Sequence, residues 1–207
     1  YGNASGGMID ITTREAPKEA FVIMPRQVIG QYGYLKSELF MGGSNGNVGY
    51  SVFGSHLQQN GWRDHSAMQN MFSQAKLNFR TSANSDLMLV FREFYSPLSK
   101  DPGALTSTEI QADRRQASAR NVQFNAGEEI RQEEIGMRFR NRFSADKEFT
   151  ATTYLLHRDF QNRQAFLEGG QVQFDRWVGG LMLQFVNDHI LFQRPNRLLV
   201  GVDYGIQ

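Results

Sequence analysis

Arginines and aromatic side chains recur together in the polar stretches of this chain of 207 residues. A guanidinium fork pairs with anionic groups, and an aromatic ring packs against flat or apolar groups, so together they suit ligand binding. The candidates are Trp62, Arg63, Tyr95, Arg114, Arg115, Arg120, Phe124, Phe160, Arg163 and Phe166. We select Tyr95, Arg115 and Trp62 as the preferred ligand-binding residues. Ordinary loop packing is the alternative explanation for each of them.

Motifs for catalysis and for tightly bound cofactors are absent from the sequence. Asp64, His65 and Ser66 are adjacent, but a catalytic triad is defined by geometry and not by neighbouring positions. No phosphate-binding loop, nucleophile elbow or cysteine occurs. The histidines lack metal-ligand spacing: His56, His65, His157 and His189. We therefore predict that the protein is not an enzyme and holds neither a metal nor a cofactor.

The charge balance gives no indication of a nucleic-acid partner. Lys and Arg number 22 and Asp and Glu number 21, and no basic block occurs. Mean hydropathy is −0.47, and no apolar run approaches the ~18 residues of a membrane-spanning helix. Strands that are apolar only at alternate positions also keep the average hydropathy low, so a membrane barrel stays possible.

The clearest predicted element is a long β-hairpin over residues 134–159. From Ile135 to Phe143 the odd positions are mainly apolar and the even positions are Gly and Arg. Because side chains alternate across a strand, this pattern gives one apolar face. A polar turn at 144–147 leads to a return strand at 148–158 that is rich in Thr, Tyr, Phe and Leu. Arms of this length match a tilted strand that crosses a bilayer, which needs ~9–11 residues.

The alternation assigns side chains to a wet lumen and to lipid. Five arginines are predicted to face the lumen, where they would line a solvated interior face or the path of an anionic ligand. They are Arg80, Arg92, Arg138, Arg140 and Arg142. Their alternating neighbours are predicted to face lipid: Leu77, Phe79, Met137 and Phe139.

Similar patterns predict an all-β, antiparallel, up-and-down sheet. Further strands are expected at residues 8–13, 21–30, 34–42, 48–57, 71–80, 86–95, 172–187 and 197–206. Pro25 lacks a ladder donor, so its strand should lie at an edge or contain a bulge. A short helix at 107–119, capped by Ser107 or Thr108, is expected within a long polar connection.

The predicted connections alternate in length after the first hairpin. Short turns at 43–47, 81–85 and 144–147 alternate with longer connections at 58–70, 96–129 and 160–171. All the long connections therefore lie at one end of the sheet. This asymmetry is typical of transmembrane β-barrels, which have short turns on one side and long loops on the other.

The opening YGNASGGMIDITTREAP resembles the end of the plug domain of TonB-dependent outer-membrane receptors. The matching positions are Tyr1, Gly2, Gly6, Gly7, Ile9, Ile11, Thr13 and Arg14, and Met8 stands where the family usually has Val. The stretch QYGYLKSELFMGGSNGNVGYSVFGSHLQQNGWRDH looks like the first barrel strands and outer loop of that family. The stretch DPGALTSTEIQADRRQASARNVQFNAGE resembles the third outer loop of iron-complex receptors.

The resemblance implies a receptor in the outer membrane of a Gram-negative bacterium, coupled by the inner-membrane protein TonB. Its ligand would be a ferric siderophore, which is transported and is not a cofactor, and Trp62, Tyr95 and Arg115 would contact it. Residues 1–19 would be the end of the plug and a linker, and residues 20–207 would supply about nine of about 22 barrel strands. The TonB box, most of the plug and the remaining strands would lie outside this chain. Receptors for cobalamin, haem and glycans share the scaffold, so the resemblance leaves the ligand open.

Two other interpretations remain open. The chain could form a complete small barrel of about eight strands with a structural or adhesion role. It could also form a soluble β-sandwich that binds carbohydrate or protein through its loops. The glycine-rich start and the long third loop favour the receptor over the small barrel. The apolar face of such long strands argues against the soluble sandwich.

Overall fold

The fold is described from a computed structural model, which describes Thr13, residues 15–166 and residues 170–207. Within these residues there are nine strands and two short helices. The strands are β1 (Val22–Ile29), β2 (Leu35–Asn45), β3 (Val48–Gln59), β4 (Met68–Arg80), β5 (Ser85–Lys100), β6 (Gly127–Ser144), β7 (Lys147–Gln164), β8 (Gly170–Leu191) and β9 (Arg194–Ile206). The helices are α1 (Ser107–Ala112) and α2 (Ala119–Gln123).

Each strand pairs antiparallel with the next, so the sheet order is the sequence order from β1 to β9. This confirms the predicted all-β, up-and-down fold class. β1 and β9 are the two edges of the sheet within the described residues. Pro25 lies in β1 opposite Leu39, at an edge as predicted. Of the strand predicted at 8–13, residues 8–12 lie outside the described residues and Thr13 is not in a strand.

Strand pairing carries the alternation across the sheet and gives it two faces. The apolar face includes Met41, Val52, Leu77, Phe79, Leu89, Met137, Phe139, Leu155, Leu183 and Val202. The polar face includes Glu38, Lys76, Arg80, Arg92, Glu134, Arg138, Arg140, Arg142 and Glu148. The predicted division of arginines and apolar residues between two faces is therefore confirmed.

The apolar face is widely exposed within the described chain. Ile135 is 58% exposed and Val202 is 64% exposed. Only Val90 and Ala126 are buried hydrophobic residues among those described. Soluble proteins rarely expose a continuous apolar surface of this kind, so this face requires lipid or protein cover. No helix within the described ranges is long and apolar enough to cross a membrane.

The connections form two classes, one at each end of the strands. At one end, which we call the turn end, they are residues 46–47, 81–84, 145–146 and 192–193. At the other end, the loop end, they are residues 30–34, 60–67, 101–126 and 165–169. The predicted asymmetry is confirmed for the connections at 60–67 and 101–126.

Several predicted boundaries were wrong because the strands extend further toward the loop end. The loop predicted at 160–171 is mostly strand, since β7 reaches Gln164 and Phe160 pairs with Phe174 of β8. The long connection predicted at 96–129 shortens to 101–126. These strand extensions carry polar side chains on both faces. They therefore lack the alternation of apolar residues by which strands are recognised.

The single helix predicted at 107–119 was also wrong, because α1 ends at Ala112. Asp113 takes an extended conformation (φ −156°, ψ 114°), and its carboxylate accepts from the backbone N–H of Arg115 at 2.8 Å. This local turn competes with helix continuation. The cap of α1 is Thr106 and neither Ser107 nor Thr108.

The segment before β1 lies against the turn end of the sheet. Glu19 accepts a backbone hydrogen bond from Ser44 at 2.8 Å, and the Tyr50 hydroxyl donates to the Ala20 carbonyl at 2.9 Å. A Cβ at Gly43 would lie 2.1 Å from the Ala20 carbonyl oxygen, so this close approach requires glycine. Lys76 on the polar face donates to Thr13 Oγ1 at 3.2 Å, which brings this segment onto the polar face.

Candidate functional site

The loop end is an ordered assembly in which Arg63 joins the loop at 60–67 to the loop at 101–126. Its guanidinium donates to the carbonyl oxygens of Gly103 at 2.6 Å, Pro102 at 3.1 Å and Gln116 at 2.9 and 3.1 Å. The planar fork makes four hydrogen bonds to three carbonyl groups, one more than the three N–H donors of a lysine allow. Arg63, predicted among the ligand candidates, therefore has a structural role in holding the two loops together.

Backbone and side-chain hydrogen bonds extend this connection. His65 Nε2 lies 3.0 Å from the carbonyl of Ala126, and the backbone N–H of Asp64 donates to Arg115 at 2.7 Å. Asn121 is buried and its amide donates to the carbonyl of Asp101 at 3.1 Å. The predictions did not identify Asn121, because a single asparagine in a polar stretch carries no periodic signal.

Helix α1 begins with a capping box that fixes its start in the long loop. The Glu109 carboxylate accepts from the Thr106 backbone N–H at 2.7 Å and from the Thr106 hydroxyl at 2.8 Å. The Glu109 N–H donates back to Thr106 Oγ1 at 3.3 Å. These bonds, the backbone one first, hold the pKa of Glu109 below its ordinary value. The Thr-x-x-Glu spacing is a readable capping signal that identifies Thr106.

Exposed cations remain on the loop assembly after these contacts are made. Arg114, Arg115 and Arg120 are exposed. Their side chains make no hydrogen bond or ion pair with the part of the chain that the structure describes. Exposed apolar groups lie in the same loops, since Trp62 is 41% exposed and Ile110 is 44% exposed. This surface therefore offers guanidinium donors beside apolar area, which fits an anionic ligand with an apolar part.

The structure places the three preferred residues in different surroundings. Trp62 and Arg115 lie in the two loops that Arg63 joins, so it brings them into one assembly. Tyr95 does not lie in a loop. It lies within β5 opposite Met71 and Arg131, on the side of the sheet that carries the apolar face. Phe160 and Arg163, predicted as loop residues, lie within β7.

The polar face carries a series of cross-strand ion pairs. Arg92 binds Glu134 at 3.0 Å, and Arg92 Nε also donates to Gln74 at 3.2 Å. Two further pairs join neighbouring strands: Arg140–Asp86 at 2.7 Å and Arg142–Glu148 at 3.1 Å. These arginines are satisfied by the sheet itself. Among the described residues, no group of three or more His, Asp or Glu side chains could hold a metal ion.

The fold of this chain is similar to that of a known transporter. No protein-family model matches the sequence. The structure is similar to that of the ferric citrate transporter FecA in its unliganded form, with a TM-score of 0.79 and 16% sequence identity. The match covers 93% of this chain and 30% of that transporter, so the chain spans about a third of its length. The described sheet therefore has the fold of part of a transporter β-barrel.

Proposed function

We propose that this chain is part of a TonB-dependent receptor in the outer membrane that imports a ferric siderophore. The observation that carries the proposal is the fold similarity to the ferric citrate transporter, which covers 93% of this chain. In this proposal the polar face lines the lumen, the apolar face contacts lipid and the loop end lies on the outer side of the membrane. The protein binds and passes its ligand and does not transform it.

The two open edges of the sheet support a larger barrel over a closed barrel of about eight strands. β1 and β9 are not paired with each other in the described chain. An open edge in lipid leaves backbone groups without hydrogen-bond partners, which is costly. Further strands of the same protein would satisfy these edges.

The segment before β1 supports a linker that enters the lumen. Its hydrogen bonds to Ser44 and Tyr50 hold it at the turn end, and Thr13 contacts Lys76 on the polar face. We propose that residues 1–19 are the end of a plug domain with its linker and that residues 20–207 belong to the barrel. The coupling protein TonB would act on the plug side of the full receptor.

The charge of the loop assembly supports an anionic ligand. Ferric siderophore complexes are bulky and often anionic. Arg114, Arg115 and Arg120 supply cations without carboxylate partners in the described chain, and Trp62 supplies a ring. We propose that Trp62 and Arg115 contact the ligand at the loop end. Tyr95, on the opposite side of the sheet wall, is a weaker candidate because its ring points away from the polar face.

Uptake of iron tests the proposed function directly. The full protein that carries this chain is produced in an outer-membrane host that lacks its own ferric receptors, and uptake of radiolabelled ferric siderophores is measured. Uptake should stop when TonB is deleted or a protonophore is added. Uptake that persists unchanged under both conditions, or no uptake of any ferric complex, would refute energy-coupled transport.

Two sets of variants refine this assay. Replacing Arg114, Arg115 and Arg120 together with Gln should raise the KM of uptake at least fivefold, whereas Arg194→Gln at the turn end should not change it. The orientation is tested by labelling single cysteines, since the chain contains none of its own. Trp62→Cys should react with an impermeant maleimide on intact cells, and Ala145→Cys should not react.

A further inference from the structure

Two arginines face each other across β7 and β8 near the loop end. Arg158 and Arg176 are direct register partners, so their Cβ atoms lie within about 5.5 Å of each other. Arg158 pairs in register with Gln132 of β6, which lies two positions from Glu134 and therefore on the same polar face. Arg176, as the register partner of Arg158, lies on that face too. Like charges directly opposite one another destabilise a sheet. This arrangement therefore needs an explanation.

No carboxylate of the described chain neutralises this pair. The ion pairs of the described residues include neither Arg158 nor Arg176. Asp159 and Asp175 are adjacent in sequence, but side-chain alternation places them on the opposite face. Arg158 Nε is buried and has no hydrogen-bond partner in the described chain. The Gln207 amide lies within 2.6 Å of Arg176 and, with its oxygen toward the guanidinium, offers a neutral acceptor.

Two aromatic rings lie beside the arginine pair. Phe160 and Phe174 are stacked, with centroids 5.1 Å apart and an interplanar angle of 28°. Arg158 lies over the Phe160 ring at 5.4 Å, and Arg176 lies over the Phe174 ring at 4.7 Å. These cation–π contacts orient the two guanidinium groups without removing their charge. The result is a cluster of two cations and two flat apolar surfaces.

We propose that Arg158, Arg176, Phe160 and Phe174 form a binding site for an anionic metal chelate whose donor groups are aryl oxygens. The guanidinium pair would take the negative charge, and the rings would pack against the flat aryl groups. A chelate of aliphatic carboxylates would use the arginines alone. The proposal rests on the proposed function, since it assigns the ligand class of the transported complex and places its site on the polar face near the loop end.

Binding measurements on the full protein in detergent test this site. The probes are iron(III) tris(catecholate), which is aryl, and ferric citrate, which is aliphatic, and tryptophan fluorescence reports binding. The double change Arg158→Gln with Arg176→Gln should weaken binding of iron catecholate at least tenfold. The double change Phe160→Leu with Phe174→Leu should weaken binding of iron catecholate at least fivefold and should change ferric citrate binding by less than twofold. The matched control is Arg80→Gln, an exposed arginine on the same face without a ring beside it, which should leave both affinities within twofold.

The outcomes separate this inference from the proposed function. Failure of the unchanged protein to bind iron catecholate, or equal affinities in the unchanged protein and the arginine double variant, would overturn the site. TonB-dependent iron uptake in that case would still uphold transport. Normal catecholate binding that depends on the four residues, combined with no uptake of any iron complex, would uphold the site and refute transport.

The direction of the stability change gives a second test. If the arginine pair serves binding, then Arg158→Gln should raise the unfolding midpoint in denaturant while weakening catecholate binding. If the pair serves structure, the same change should lower the midpoint. A lowered midpoint together with unchanged affinity would overturn the site.

Discussion

Two groups of arginines share the polar face of one sheet and differ in their surroundings. Arg140 on β6 donates two hydrogen bonds to Asp86, at 2.7 and 2.9 Å, whereas Arg158 on β7 faces Arg176 of β8. Both arginines lie on the same polar face of neighbouring strands. They differ in the cross-strand partner, which is a carboxylate for Arg140 and a second arginine for Arg158. An arginine on the polar face therefore indicates structure or binding only once its cross-strand partner is known.

Arginines at the loop end also differ in whether they have a partner within the protein. Arg63 binds three carbonyl oxygens through its guanidinium, and Arg115, joined to the same assembly by its backbone, has an exposed side chain without a partner in the described chain. Both residues were predicted as ligand candidates, and Arg115 was one of the three preferred ones. The anchored arginine should therefore control stability, and the unanchored arginine should control binding.

Arg63→Ala should have the largest effect on the stability of the loop assembly. The change removes four hydrogen bonds from a charged donor and leaves three carbonyl groups to find water, so it should destabilise the loop assembly by about 3 kcal/mol. Hydrogen exchange should accelerate at the backbone N–H groups of Asp64 and Ser118, which bind Arg115 and Pro102. Arg115→Ala is the control and should change exchange by less than about 0.5 kcal/mol. Equal effects of the two changes would remove the distinction between them.

Asp86→Asn tests how much the Arg140–Asp86 ion pair on the polar face stabilises the sheet. The change weakens the charge-assisted bonds from Arg140, and both side chains are about a third exposed, at 32% and 33%. We expect a loss of about 1–2 kcal/mol in the free energy of unfolding, because solvent screens part of the interaction. Denaturant unfolding in lipid vesicles measures it.

A double-mutant cycle completes that test. Arg140→Gln on the Asp86→Asn background should cost less than it does alone, because the partner is already lost. Asp203→Asn, on the polar face of β9 opposite Met182, is the control for removing a carboxylate and should have little effect. Additive losses from the two partners would show that this pair is not coupled.

The alternation of apolar and polar residues was sufficient to predict the fold. It was insufficient to predict the cluster of Arg158, Arg176, Phe160 and Phe174. The mainly apolar odd positions from Ile135 to Phe143 identify the hairpin and its faces without any tertiary information. The cluster depends on the β7–β8 register, which places Arg158 opposite Arg176 and Phe160 opposite Phe174. Since residues 160–171 show no apolar alternation, the prediction left Phe160 in a loop. The Arg158–Arg176 juxtaposition could not be predicted without this register.

The loop contacts were beyond prediction for a different reason. Arg63 reaches carbonyl groups about 40 and 53 residues further along the chain, as the separations of 39, 40 and 53 positions show. Backbone carbonyl groups are present at every residue, so the sequence does not mark which of them an arginine will find. The capping box is local, by contrast, and its spacing was available in the sequence.

Arg176→Glu converts Arg158, which has no carboxylate partner in the described chain, into an arginine with a carboxylate opposite it, as Arg140 has in Asp86. A carboxylate opposite Arg158 replaces repulsion with an ion pair, so β7 and β8 should gain about 0.5 kcal/mol. Denaturant unfolding of the full protein should show the higher midpoint. Arg176→Gln should give a smaller gain because it removes repulsion without adding attraction. A midpoint for the Glu variant that is no higher than that of the Gln variant would show that no stabilising ion pair forms with Arg158.

The two loop helices give the smallest contrast, because α1 has a carboxylate at its cap and α2 has no side-chain cap bond. Since the pKa of Glu109 is lowered in the folded loop, its contribution is present above the pKa of an unfolded Glu and is lost as pH falls through the lowered pKa. Exchange at the Ile110 N–H, which binds Thr106 at 3.0 Å, should therefore accelerate, relative to its intrinsic rate, as the pH falls below the ordinary pKa of Glu and through the lowered pKa of Glu109. The Phe124 N–H of α2, which binds Arg120, is the internal control. Glu109→Gln keeps a capping oxygen but does not titrate, so it should abolish the pH dependence at Ile110, and an unchanged profile would assign that dependence to another group.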